Sequence, residues 1–341
     1  MLSTLIRDLI ACGHDVGTCL DDGIPVEFNE AFSRVSALDQ LTVDHLTSEA
    51  DWLESWIRLA KDSDRTFVIA PELDGHLIAI ANILRGEGAN VILSTQEWLE
   101  RASDKWLTAC CFTSSGINQP KTWMLDDLIA QKEMQVQLSQ QETSNDVVMK
   151  RRDGAGGVGT RKWKCIASLG DECTPVLLEG KPADHWIVQE WIEGQPASLA
   201  ALVCDEQVVV LGSFTQSISV ASTIDSTDGS PIHYLGGRGP IQGITRTQVE
   251  RFAKKILKSL GNGARGWIGI DFIIPKGSAS ELDWFAIEVN PRLTTSYLGY
   301  RQWYGSGLAD LLVEDSHAIH GMNRSALPPE YCHWPEVSFT S

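Results

Sequence analysis

No stretch of this sequence holds the roughly 18 consecutive apolar residues that a membrane-spanning helix needs. Nor does it open on a basic segment followed by a long apolar run, so neither a transmembrane helix nor a signal peptide is expected. CxxC pairs are missing: the 8 cysteines (Cys12, Cys19, Cys110, Cys111, Cys165, Cys173, Cys204 and Cys332) are scattered through apolar stretches. That scatter reads as reduced, buried thiols of a cytoplasmic protein rather than a disulfide framework. Positive charge is scarce, with 28 Lys and Arg against 45 Asp and Glu and a net charge of −17. Nonspecific binding to nucleic acid or to an anionic membrane face is therefore excluded, while an anionic ligand held by a local basic pocket or a metal is not. The Walker pattern G-x-x-x-x-G-K-[ST] does not occur, which removes the P-loop.

What is present suits a folded, soluble chain. Its 341 residues correspond to about two domains at roughly 150 residues each, and 43% of them are hydrophobic, enough for a sizeable core. Residues 2–12 carry apolar groups at helical spacing and run into Gly13, a stop signal. DVGTCLDDG reads as a strand and turn, 47–61 as a helix, 66–72 and NVILS as strands, HLIAIANILRGEG as a helix, and TQEWLERASDKWLTACCFTSSG as one helix to Gly116. This alternation over roughly residues 1–100 predicts a small open α/β layer. Such layers usually open on a strand and this chain opens on a helix, so a first strand is expected to be absent or to lie upstream of Met1. After residue 142 strands dominate: DVVMKRR, 185–194 and 206–222, then a capped amphipathic helix over 245–261. GWIGIDFIIP and DWFAIEVNPR follow as an antiparallel pair. Residues 232–240 (IHYLGGRGP) read as a glycine-rich loop, and the tail from about 319 as aperiodic.

Residues 154–159 read G-A-G-G-V-G. A Rossmann loop would need a strand before it, a helix directly after it and an acid about 20 residues on. Glu179 meets the last condition, but TRKWKCIASLG brings three cations to what would be the positive end of a helix dipole. A flexible strand–loop–strand lid over a nucleotide triphosphate fits better: glycines let backbone N–H groups wrap phosphate oxygens, and Lys150 supplies a point charge. An ordinary glycine-rich hairpin beside solvated cations is the plain alternative. Further on, period 2 puts Glu288 and Asn290 on one face of a strand, and Asp271 lies on the neighbouring strand. Buried carboxylates must be paired or metal-bound. Two of them facing an amide oxygen suit a hard cation such as Mg²⁺ or Mn²⁺; the alternative is a salt bridge with Arg292.

Together S-D-K-W (103–106), V-V-M-K-R-R-D-G-A-G-G-V-G-T (147–160), V-Q-E-W-I-E-G (188–194), G-I-D-F-I (269–273) and E-V-N-P-R-L-T-T-S (288–296) resemble, in order, the motifs of the ATP-grasp superfamily. A-P-E (70–72) and N-P-R-L-T-T-S-Y (290–297) look most like its tyramine–glutamate ligase group of methanofuran biosynthesis and that group's bacterial relatives. The resemblance implies an α/β (α+β) fold with the nucleotide held between two α+β subdomains. The implied divisions are an N-terminal pre-ATP-grasp domain at 1–102, an ATP-grasp domain at 103–318 with a lid at about 115–194, and a tail at 319–341. It implies that Lys105 and Lys150 bind nucleotide phosphates under a lid of Gly154, Ala155, Gly156, Gly157 and Gly159. Glu190, Trp191 and Ile192 would form the adenine hinge, with Glu193 standing in for a ribose-binding acid. Asp271, Glu288 and Asn290 would hold metal, and Arg292 would steady the transferred phosphate.

The expected activity is that of an ATP- and Mg-dependent carboxylate–amine ligase acting through an acyl phosphate, with glutamate and tyramine as the first pair to consider. The rivals are a non-catalytic ATP-binding regulatory module and a Rossmann NAD(P) oxidoreductase. The expected partners are small-molecule substrates, with a homodimer left open. For the substrate, Arg238 offers a bidentate clamp for a carboxylate, its alternative being a solvated arginine on a turn. Ser296, Tyr297 and Arg301 follow the metal strand and are further candidates. His317 and His320 lack a third ligand nearby and read as ordinary helix-end residues.

Overall fold

A computed structural model describes residues 1–21, 39–46, 49–133, 145–169, 180–204, 207–221, 229–313 and 335–341. The apolar spacing at the start folds as α1 (Leu2–Ala11), which buries Leu5, Ile6 and Leu9. Next come β1 (Val16–Asp21) and β2 (Leu41–Leu46), a parallel pair with Val16 opposite Leu41, then α2 (Glu49–Lys61) and α3 (His76–Gly86). The segments expected as strands at 66–72 and NVILS touch only through one parallel bridge, Thr66 to Val91. The N-terminal layer is thus α/β, with less strand than its apolar runs predict.

The single helix expected over TQEWLERASDKWLTACCFTSSG is two helices, α4 (Gln96–Ser103) and α5 (Lys105–Ser114). Asp104 breaks it. Its backbone is extended at φ −104 and ψ 110, and its carboxylate accepts from the amides of Trp106 and Leu107. That cap satisfies donors a continuous helix would have bonded internally.

Next are β3 (Thr122–Met124), α6 (Leu125–Glu133), β4 (Val147–Arg151), β5 (Arg161–Trp163), β6 (Trp186–Glu190), β7 (Gln195–Cys204), β8 (Gln207–Val220) and β9 (Ser230–Gly239). The chain continues through α7 (Arg246–Ser259), β10 (Gly266–Ile274), β11 (Phe285–Asn290), α8 (Tyr297–Tyr304), α9 (Gly307–Val313) and β12 (Val337–Thr340). A ten-stranded sheet runs β11-β10-β7-β8-β9-β5-β4-β6-β3, with β12 added on β9. Among the described residues the two halves pair as strands only between β5 and β9, at Arg161 opposite Pro231 and Lys162 opposite Ser230.

The larger half is buried on both faces, because period 2 sends alternate residues to opposite sides. On one side Ile268, Ile270 and Phe272 of β10 pack with Trp98, Phe112, Phe252 and Trp284. On the other, Trp267 joins Phe214, Tyr297, Tyr300, Leu5 and Leu9, so α1 is docked onto this half. The capping box expected at the start of the 245–261 helix is formed by Thr245 and Gln248.

Two expectations fail here. Residues 232–240 are strand β9 rather than a loop, and part of the tail is strand β12. The glycines that suggested a loop allow close packing instead. A Cβ on Gly236 would lie 2.0 Å from the Phe339 carbonyl oxygen, so only glycine admits β12 there. His317, His320, Glu179 and residues 319–334 lie outside the described residues. No helix among the described residues is long and apolar enough to cross a membrane.

Candidate active site

Strands β4 and β6 of one half of the sheet and β7 to β11 of the other border a cleft of about 310 Å³. The glycine motif joins β4 to β5, which pair antiparallel, so it closes a strand–loop–strand hairpin and no helix follows it as a Rossmann loop would require. Gly156, Gly157 and Gly159 have φ of +64, +76 and +70, which residues with a Cβ rarely adopt. Gly156 and Gly157 line the cleft, whereas Ala155 and Gly159 shape the loop without lining it.

Lys150 sits on β4 and is buried, as is Lys105 at the start of α5. The Lys150 ammonium lies 3.2 Å and the Lys105 ammonium 3.6 Å from the same Glu288 oxygen. Lys105 also donates to the carbonyl of Gly154, tying the first turn of α5 to the glycine loop. Asp271 and Glu288 face each other directly across β10 and β11, and a register shift follows at Asp271/Phe272. Such a bulge twists a strand locally and re-aims its side chains. Asn290 donates to Asp271 Oδ2 at 3.1 Å, and Gln216 on β8 donates to its Oδ1 at 2.8 Å.

Electrostatics separates the two carboxyls. Burial and the charge of Glu288 push Asp271 up to about 7, overcoming its two amide donors and Lys150. Burial acts on Glu288 in the same direction, but Lys105 and Lys150 outweigh it and bring that carboxyl down to about 2. Burial also lowers the Lys150 ammonium, against the pull of Glu288. Two carboxylates and an amide on adjacent strands are hard oxygen donors, and a divalent cation would relieve the repulsion felt by Asp271. Among the described residues no group of three or more His, Cys, Asp or Glu side chains could hold a metal. A cation here would thus take two carboxylates and Asn290, completed by ligand oxygens.

At the other end of the cleft, Glu190, the last residue of β6, and Trp191 and Ile192 after it line the wall. Glu190 accepts from Asn145 at 2.8 Å. The Trp191 ring lies under the Lys162 ammonium, 4.1 Å from the ring centroid, and its N–H donates to Glu193 at 2.6 Å. Glu193 is exposed and holds that tryptophan rather than lining the cleft.

Arg292 lines the cleft and is paired with Glu72, not with Asp271 or Glu288. Ser296 also lines it, its hydroxyl 2.7 Å from that of Thr294. The other three substrate candidates are elsewhere. Arg238 is exposed on β9 and paired with Glu336 on the surface: the register irregularity beside Tyr234 shifts the strand's alternation and sets Arg238 opposite Thr215 rather than the cleft-lining Gln216. Tyr297 is fully buried and donates to Asp8 Oδ2 at 2.7 Å, and Arg301 donates to the same oxygen at 2.5 Å. Both are consumed in docking α1 onto α8.

Residues to which the motifs assigned no role also enter: Gln216, Tyr234 and Thr295 line the cleft, and Glu72 pairs with Arg292. Tyr234 and Gln216 line the wall from paired strands, and Tyr234 hydrogen-bonds Thr295. The alternation of β8 carries a signal for Gln216; nothing in the local sequence announces Glu72 as the partner of Arg292.

Comparison with known proteins agrees with this architecture. The family model for the ATP-grasp domain matches residues 102–296, more than half the chain. An ATP-grasp superfamily protein from Archaeoglobus fulgidus aligns with a TM-score of 0.55 at 22% identity, over 83% of this chain and 73% of that one. The L-amino acid ligase from Bacillus licheniformis aligns with a TM-score of 0.62 at 14% identity, over 94% and 74%. The biotin carboxylase domain of 2-oxoglutarate carboxylase from Hydrogenobacter thermophilus, in complex with MgADP, ADP and bicarbonate, gives 0.66 at 15%, over 91% and 67%. At these identities the structures share the fold. No curated protein matches the sequence.

Proposed function

The chain belongs to the ATP-grasp family, and from that premise we propose that it is an ATP- and Mg²⁺-dependent ligase that joins a carboxylate to an amine through an acyl phosphate. The observation that carries this reading is the convergence on Glu288: two buried lysines from one side and Asp271 from the other, in a cleft covered by a glycine loop.

The chemistry needs such a site. A substrate carboxylate must attack the γ-phosphate of ATP, anion against anion. A cation 4 Å from a phosphate oxygen contributes about 4 kcal/mol at an effective dielectric near 20. Lys150 and Lys105 lie where the triphosphate would run, between the glycine loop and the carboxylates. Asp271, Glu288 and Asn290 would hold Mg²⁺, which would supply positive charge against the anionic phosphates. Arg292 steadies the transferred phosphoryl group. The attack breaks the γ-phosphate bond to ADP and forms the acyl phosphate. The amine then adds to the acyl carbon, and inorganic phosphate and a proton leave. Because an acyl phosphate hydrolyses, the glycine loop has to exclude water while it exists. Trp191 and the backbone beside Glu190 and Ile192 offer an adenine its apolar face and hydrogen-bonding edge.

The test is ADP release from Mg-ATP by the whole chain, with glutamate and a panel of amines that starts with tyramine. Release should require both co-substrates. It should fall by about 10²–10³-fold in Glu288→Ala, the scale of losing an electrostatic stabiliser. ATP binding with no release from any acid and amine would overturn the ligase reading and favour a nucleotide-binding module.

A further inference from the structure

Arg292 stands at the end of β11 on the cleft wall, yet its carboxylate partner, Glu72, lies 220 residues earlier in the N-terminal layer. Arg292 Nε donates to Glu72 Oε2 at 3.0 Å, and Nη2 lies 3.0 Å from the same oxygen as an ion-pair contact. Nη1 donates to the Leu293 carbonyl at 3.3 Å. A guanidinium has five N–H groups. With Nε and one N–H of Nη1 bonded and one edge of Nη2 held against Glu72, one N–H on each of Nη1 and Nη2 is left for a ligand, and the side chain lines the cleft.

Glu72 is itself held. It is 4% exposed, and its carbonyl accepts from the amide of Gly75 at 3.0 Å. Two residues on, Asp74 adopts φ +52, uncommon for a residue with a Cβ. Contacts to the base of the glycine loop over-determine that conformation. Its amide donates to Asp153 at 2.6 Å, and its carboxylate accepts from Arg151 at 3.1 Å and from Lys181 at 2.6 Å.

The second oxygen of Glu72, Oε1, is shielded from solvent and has no hydrogen-bond partner among the described residues. A buried carboxylate with an unmet oxygen costs stability. What offsets that cost is the guanidinium on its other oxygen. The charge therefore serves Arg292.

We infer that Glu72 is a positioning residue for Arg292, fixing the guanidinium so that its two remaining N–H groups face the phosphoryl group and the substrate carboxylate in the cleft. The inference rests on the ligase reading above. It makes the N-terminal layer a contributor to the reaction centre through one side chain.

The experiment compares the full chain with Glu72→Gln, Arg292→Lys and the double variant, using a substrate pair that supports ADP release. Glutamine keeps the shape and removes the charge. Taking one charge from a buried ion pair destabilises, so Glu72→Gln should melt below the unchanged chain, while its KM for ATP should rise no more than about tenfold. It should lose about 10–100-fold in kcat, the cost of a misdirected reacting group. The double variant should be no slower than Arg292→Lys alone, because Glu72 acts only through that arginine. An unchanged kcat, or losses that multiply in the double variant, would each overturn the inference.

If the unchanged chain releases no ADP with any pair, the ligase reading fails and a binding arm decides this inference separately. Calorimetry with Mg-ADP and with a non-hydrolysable Mg-ATP analogue isolates the γ-phosphate. Glu72→Gln should bind the analogue about 5–10-fold more weakly, the size of one oriented charged hydrogen bond, and bind ADP as before. Equal analogue affinities would overturn the positioning role.

Discussion

Asp271 carries opposing demands in one side chain. Burial and Glu288 raise its carboxyl to about 7, well above the ordinary range. The folded chain therefore holds this proton at pH values where the unfolded chain has lost it. Stability falls as pH rises from about 4 to about 7, and the whole penalty stands above that window. Asp271→Asn should remove it. The variant should be more stable than the unchanged chain by about 1–2 kcal/mol at pH 8, a figure discounted for the open cleft, and show no advantage near pH 4. Adding Mg²⁺ should narrow the gap at pH 8, because only the aspartate gains a cation. Thermal melts at the two pH values, with and without Mg²⁺, check this; an equal gap at both would sink it. The sequence made Asp271, Glu288 and Asn290 legible as a group, since strand period puts Glu288 and Asn290 on one face and Asp271 reads as lying on the neighbouring strand. It misplaced Tyr297 and Arg301, because their partner is Asp8, nearly 300 residues away, and no local pattern encodes that contact.

At the scale of elements, the break between α4 and α5 bears on the cleft. Asp104 caps α5 and also accepts from Arg152, at 3.2 Å from Nε and 2.5 Å from Nη2, while the next residue is Lys105. Asp104→Ala should cost about 1–2 kcal/mol, as for other N-cap losses, or about 2–5 °C for a chain of this size. It should also raise the KM for ATP severalfold by loosening Lys105. Asp104→Asn keeps the cap and loses only the partly exposed ion pair, so its melting temperature should stay near that of the unchanged chain. Melting curves for both variants decide this, and equal losses would show that the ion pair, not the cap, matters. The apolar periodicity runs through both helices, which is why they read as one. The same limit applies to β9, where glycine content mimicked a loop while meeting the packing needs of Phe339 and Phe214.

Across the whole molecule, the ordered motifs foretold a family fold, and the sheet joins them into one cleft. The N-terminal layer was legible as α/β, but its ion pair with Arg292 on the cleft wall was not, because a contact across 220 residues leaves no local pattern. The least populated joint in the sheet is the two-residue ladder between β5 and β9. Few bonds there resist opening, so the free chain should exchange the amide hydrogens of residues 160–163 and 230–232 for deuterium far sooner than those of β7 and β10. A non-hydrolysable Mg-ATP analogue would touch both sides of that joint. It should slow exchange at the ladder at least about tenfold while barely altering the strands buried on both faces. Mass-resolved exchange would read this directly, and a uniform response along the sheet would mean that its two halves breathe as one body.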